Sequence, residues 1–181
     1  MIHVTVTFRL DYCNSLYAGL PLNLLRKLQL VQNAAARVLT GTWWRAHITP
    51  VLSQLHWLQI GDRIRFKVLI LTFKALNDLG PAYLRDRLFR HSPPRLLRSA
   101  DQNLLRVPGP KDIKLASTRA RAFSALAPAW WNTLPSHIRA LRELNQFRRA
   151  CMAERSTRPG PEQKRPGPWS RPVSCLWGRG P

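Results

Sequence analysis

Nine acidic residues, Asp11, Asp62, Asp78, Asp86, Asp101, Asp112, Glu143, Glu154 and Glu162, stand singly along the chain. Two-metal phosphoryl transfer needs carboxylates gathered around the ions, and no adjacent aspartate pair offers them. The histidines, His3, His47, His56, His91 and His137, include no pair at metal-ligand spacing, and no Cys-x-x-Cys occurs. Ser53 and His56 lie one helical turn apart but lack an orienting acid, so they make no triad. His56, beside Trp57, reads as a packed or surface residue on a helix. Cys13 and Cys151 read as small buried hydrophobes rather than nucleophiles. Gly41, Gly61 and Gly80 are isolated, so a glycine-rich phosphate loop is missing. These absences argue against intrinsic enzymatic activity, with no catalytic residue, no metal and no cofactor expected.

The residue types that can do chemistry here are cations. Lys and Arg number 29 against 9 Asp and Glu, a net charge of +20. Of these cations, 23 are Arg and 6 are Lys. A guanidinium grips phosphate with two parallel hydrogen bonds and stacks on bases, so the bias favours a polyanion partner. The charge is uneven: +6 over 1–80, +10 over 81–155 and +4 over 156–181. RNA or DNA, bound through phosphate and without sequence specificity, is the expected partner. The candidate contacts form two sets. Arg85, Arg87, Arg90, Arg95 and Arg98 flank an irregular Pro-containing loop. Arg139, Arg142, Arg148 and Arg149 are predicted to share one exposed helical face. An ordinary solvated surface is the competing reading of both sets. Trp43-Trp44, Trp57 and Trp130-Trp131 have two readings as well: base stacking, or core and interface packing, which is favoured.

The elements that must carry these residues are mostly helical. Ile2, Val4, Val6 and Phe8 alternate with polar residues in a strand-like pattern. Pro21 suits a helix start and Gly41 a stop, with Leu24, Leu25, Leu28, Val31, Ala35, Val38 and Leu39 on the predicted apolar face. Arg26, Lys27, Gln29, Asn33 and Arg37 fall on its polar face. Thr49-Pro50 opens a second helix and Asp62 a third, whose run Val68–Phe73 wraps round it and predicts burial on several sides. Pro81 opens a short fourth. Leu104, Leu105 and Val107 suit a short strand or extended arm between Pro-containing breaks. Ala120–Trp131 is helix-compatible, with Pro128 expected to end or kink it. Ser136 is the expected cap of a last helix, with Ile138, Leu141, Leu144 and Phe147 inward. From Ser156 onward, 6 of 26 residues are Pro and 4 are Gly, the composition of a disordered tail.

The expected architecture is therefore a small, mostly α domain of four to six helices. Residues 1–90 and 119–155 are its helical regions, 91–118 an irregular loop or extended arm, and 156–181 a disordered tail. No apolar run is long enough to span a membrane, since Lys67 and Lys74 close the most apolar one. Three cysteines, an odd number set far apart, make no disulfide framework. Arg9 and Asp11 interrupt any signal-peptide core. An intracellular, reducing compartment is the default, nucleus or cytoplasm.

Several blocks resemble one family. Arg9-Leu10-Asp11-Tyr12-Cys13-Asn14-Ser15-Leu16-Tyr17 with Gly19-Leu20-Pro21 is similar to the region beyond the polymerase core in LINE-type (non-LTR) retrotransposon reverse transcriptases. Leu28-Gln29-Leu30-Val31-Gln32-Asn33-Ala34-Ala35-Ala36-Arg37, His47-Ile48-Thr49-Pro50 and Leu55-His56-Trp57-Leu58 follow in the family's order. Lys74-Ala75-Leu76-Asn77, Arg121-Ala122-Phe123-Ser124 and Ala127-Pro128-x-x-Trp131-Asn132-x-Leu134-Pro135 continue it, so the resemblance covers roughly 1–150. It implies a segment beyond the thumb, without the family's catalytic aspartates or endonuclease, that helps hold template RNA or target DNA. It also implies helix over residues 5–17 in place of the alternation reading. The chain departs from the family by starting at Met1 within a family segment, by Phe8 in place of a small polar residue, and by an unrelated tail from Ser156. Two alternatives accompany this reading. One is a protein-interaction module using apolar faces around Trp43, Trp44, Trp57 and Val68–Phe73, left exposed without the thumb. The other is a transposon-derived reading frame without selected function.

Overall fold

The computed structural model describes residues 8–92, 102–109 and 122–156. Among them the chain forms seven α-helical segments after a short N-terminal turn of helix. The long helices are α1 (Leu22–Thr40), α3 (Ile60–Leu76), α5 (Phe123–Asn132) and α7 (Leu144–Ser156). Short ones, α2 (Ile48–Gln54), α4 (Ala82–Arg85) and α6 (Ser136–Arg139), turn the chain between them. The mostly helical class expected from periodicity is the class observed.

Residues 8–11 are helical and Asn14–Tyr17 form a 3-10 turn, with Cys13 at φ 51 between them. The helix implied for 5–17 is thus present over its described part, interrupted at Cys13. The alternation over residues 2–8 lies outside the described residues save Phe8, which is helical. Arg63 holds this segment to α3 through Asp11 at 2.8 Å.

Helix α1 begins after Pro21 and stops at Gly41, whose φ of 64 needs the left-handed conformation open to glycine. Its inward face differs from the expected stripe. Gln32, Ala35 and Ala36 are buried, whereas Leu24, Val31 and Val38 are exposed. Gln29 and Gln32 turn inward because they meet the start of α3. The Gln32 amide donates to the Leu58 carbonyl at 2.8 Å, and Gln29 Oε1 accepts from the Ile60 N–H at 2.9 Å. That second bond satisfies one of the N–H groups that any helix start leaves unpaired, so α3 begins two residues before Asp62.

Helix α3 runs through the middle. Ile60, Ile64, Val68, Leu69, Ile70, Thr72, Phe73 and Ala75 are all buried, which covers it on several sides as its apolar run predicts. The proposal that Val68–Phe73 is an exposed docking face is therefore corrected. Trp57 is also buried, against Ala35, Ala36, Val51 and Leu52 in a smaller cluster between α1 and α2. His56 is exposed at φ 53 in the turn after α2, not on the helix.

The main core gathers α3, α5 and α7. Phe147 has no exposed surface and stacks on Phe73 at 4.4 Å and on Trp131 at 5.6 Å between ring centroids. Helix α5 continues through Pro128, whose ring is fully buried, and ends at Asn132. Residues 102–109 dock on α5 by their backbone. The Asn132 side chain accepts from the Leu105 N–H at 2.9 Å and donates to the Leu105 carbonyl at 2.8 Å. The Trp131 indole N–H donates to the Asn103 carbonyl at 2.8 Å. On its other side the arm pairs with the stretch after α4: His91 N–H to Leu104 O at 2.9 Å and Arg106 N–H to Phe89 O at 2.8 Å. The strand or arm expected around Leu104 is thus an extended arm with one antiparallel bridge, Arg90 to Leu105. The tail from 157 to 181 lies outside the described residues.

Candidate nucleic-acid interface

The last helix expected from Ser136 onward is two helices. Helix α6 is a single turn that ends at Arg139, and α7 starts at Leu144 after a four-residue connector. A shared face for Arg139, Arg142, Arg148 and Arg149 requires one continuous helix, so the break divides the set.

Arg139 is the clearest correction. It is 7% exposed, not outward. Its Nε donates to the Gln102 carbonyl at 2.9 Å, and its Nη1 donates to Leu134 at 2.6 Å and Asn132 at 3.1 Å. The Asn132 carbonyl closes α5, the Leu134 carbonyl lies just beyond it and the Gln102 carbonyl belongs to the arm, and the guanidinium supplies donors in a planar fork that reaches all three. Burial pushes its pKa below the ordinary arginine value. An arginine starts so far above neutrality that the group stays charged.

The two sequence sets meet above Arg139. Arg90, from the stretch paired with the arm, and Arg142, from the connector between α6 and α7, line one cleft with it. The cleft holds about 370 Å³. Asn77, Asp78 and Asn103 contribute polar groups, and Trp131 and Leu105 apolar ones. Three guanidinium groups face one carboxylate there, which leaves a net +2. Arg90 and Arg142 are exposed and form no ion pair among the described residues. Asp78 is paired with Arg85, and both are largely in solvent, where such a pair contributes little.

Arg85 and Arg87 are exposed at and just after the end of α4. Arg95 and Arg98 lie outside the described residues. Arg148 and Arg149 are exposed on α7 and line a second groove with Lys67 of α3, over Phe66, Ile70 and Met152. Three cations on an apolar floor can hold phosphate at the rim and a base or ribose on the floor. Linear spacing gives no sign of Lys67 in this group, since only the packing of α3 on α7 brings it beside the arginines.

The described residues contain no cluster of three or more His, Cys, Asp or Glu that can hold a metal ion. None of their helices is long and apolar enough to cross a membrane. Cys13 is exposed, against the expectation of burial, while Cys151 is buried, and both are free thiols. No family model, curated protein or solved structure matches the chain.

Proposed function

We propose that this chain is a non-catalytic nucleic-acid-binding scaffold that holds RNA or DNA through phosphate contacts, without sequence specificity. One observation carries the reading: Arg90 and Arg142, far apart in sequence, line one polar cleft with the buried Arg139 at its wall. Exposed arginines pointing into a polar recess suit a phosphodiester, because each guanidinium can form two charge-assisted bonds to it. The surrounding charge of +20 supplies long-range attraction. The resemblance to LINE-type reverse transcriptases beyond the polymerase core supports the same reading, as a segment that holds a strand rather than one that copies it.

Binding of a single-stranded RNA at several salt concentrations tests it. Affinity should fall steeply with salt, by about 0.7 in log K per log salt for each phosphate neutralised. The double variant R90Q/R142Q should bind more weakly and lower that slope by about 1.4, the share of two contacts. An unchanged slope removes the cleft from the interface, and primer extension by the purified chain overturns the non-catalytic reading.

A second reading is favoured by a different observation. Leu24, Val31 and Val38 recur at seven-residue spacing on the outer side of α1, and all three are exposed. Such a stripe suits a protein-interaction surface, moved from the buried Trp57 and Val68–Phe73 to α1. Sedimentation of the protein without nucleic acid discriminates: a monomer at every concentration weakens this reading for self-association.

A further inference from the structure

Two tryptophans stand outside both hydrophobic clusters. Trp43 is 69% exposed and Trp44 64%, although Trp57 nearby in sequence is buried. The segment that carries them is well tied. Gly41 turns the chain at φ 64, and the Thr40 and Thr42 hydroxyls lie 2.6 Å apart. The Ala46 N–H bonds to the Trp43 carbonyl at 3.0 Å. The Arg37 guanidinium reaches back from α1 to the Ala46 carbonyl at 3.3 Å. Arg45 then lays its guanidinium over the Trp44 ring, 4.7 Å from the centroid. With one face of Trp44 under a cation and most of its surface still in water, the opposite face is open to a planar partner.

We infer that the Trp43–Arg45 turn is a base-stacking platform for single-stranded nucleic acid. The inference rests on the nucleic-acid reading above and assigns the bases, where the cleft takes the phosphates. Charge selects this occupant. No Asp or Glu occurs between Asp11 and Asp62, while Arg26, Lys27, Arg37 and Arg45 all fall in that stretch. The platform therefore presents indole rings and cations with no carboxylate in its own sequence neighbourhood to repel a polyanion. A base stacks on indole by its flat face, and that face is available in a single strand and hidden in a duplex. Any base satisfies the contact, so the platform adds affinity without adding sequence specificity.

Equilibrium binding of the full chain to two fluorescein-labelled oligomers of equal length and charge provides the test: a uridine 12-mer and its abasic counterpart. The wild type should bind the base-bearing oligomer at least about tenfold more tightly, the scale of one or two stacked bases. W43A/W44A should remove most of that difference and leave abasic binding within about twofold, and W43F/W44F should restore part of it. Both side chains are exposed, so unchanged circular dichroism is expected of each variant. Equal wild-type affinity for the two oligomers overturns the platform while leaving the phosphate cleft standing. Absence of binding to either at low salt overturns both. If W43A/W44A leaves oligomer binding intact but abolishes self-association or binding to anionic lipid vesicles, the tryptophans serve a protein or membrane contact and the inference fails.

Discussion

Arginines of one chain do different physical work, and Arg139 and Arg142, three residues apart, show the extremes. Arg139 spends its donors on the Gln102, Asn132 and Leu134 carbonyls. Removing it leaves buried acceptors without partners, a cost of about 2–3 kcal/mol. R139A should lower stability in urea unfolding by that amount. R139K should recover only part, because one ammonium cannot span carbonyls that a planar fork reaches together. R90A and R142A, both exposed, should stay within about 0.5 kcal/mol of the wild type. Cys151 gives a second prediction at this scale. Burial raises its thiol from 9.0 to about 11, opposed by Arg65 and reinforced by Glu154. The folded state then holds a proton that the unfolded state releases first. Stability contributed by the neutral thiol is complete below pH 9 and declines as pH rises toward 11. C151A should flatten that decline in unfolding curves measured across the interval.

Helix ends decide where the elements stop and therefore which side chains meet. Gly41 ends α1 in a left-handed conformation, with nothing within 4 Å of where a Cβ would stand. The cost of G41A is then backbone strain alone, about 1 kcal/mol, and G41N should cost less because asparagine tolerates that region. A thermal melt of the two variants checks the order. A different helix end, after Arg139, where Ala140 stays right-handed, carries a larger consequence. It frees α7 to turn Phe147 into the stack with Phe73 and Trp131. It also leaves Arg142 in a connector, where it lines the cleft together with Arg90 instead of sharing a helix face with Arg148 and Arg149.

At the scale of the whole molecule, uncompensated charge dominates. Twenty net positive charges repel one another, and folding brings them closer. Moderate salt shortens the range of that repulsion to about 10 Å at 0.1 M. The melting temperature should therefore rise by a few degrees between low salt and about 0.2 M sodium chloride, in the absence of nucleic acid. Salt also weakens the Arg63–Asp11 and Arg85–Asp78 pairs, but these are few against the excess cations. A fall in melting temperature over that range would show that attractive pairs outweigh the repulsion. On the proposed reading, RNA should raise the melting temperature most at low ionic strength, by an amount set by how much more tightly the folded cleft holds phosphate than the unfolded, equally cationic chain does.

The sequence by itself determined the helical class, the start of α1 at Pro21 and its stop at Gly41, the short helix after Pro81, and the sign of the surface field. Each follows from local chemistry: a fixed φ in proline, an accessible left-handed region in glycine, and formal charge that folding does not alter. Tertiary structure alone decided that Arg139 is a buried clamp, that Gln32 rather than Val31 faces inward, and that Trp57 is core while Trp43 and Trp44 stay in water. For Arg139 and Gln32 the reason is the pairing of backbone hydrogen bonds, and for Trp57 it is the apolar cluster between α1 and α2. Which carbonyl at the end of α5, or which N–H at the start of α3, lacks a partner depends on the approach of elements distant in sequence, and the polar side chain that answers it turns inward against its own helical pattern.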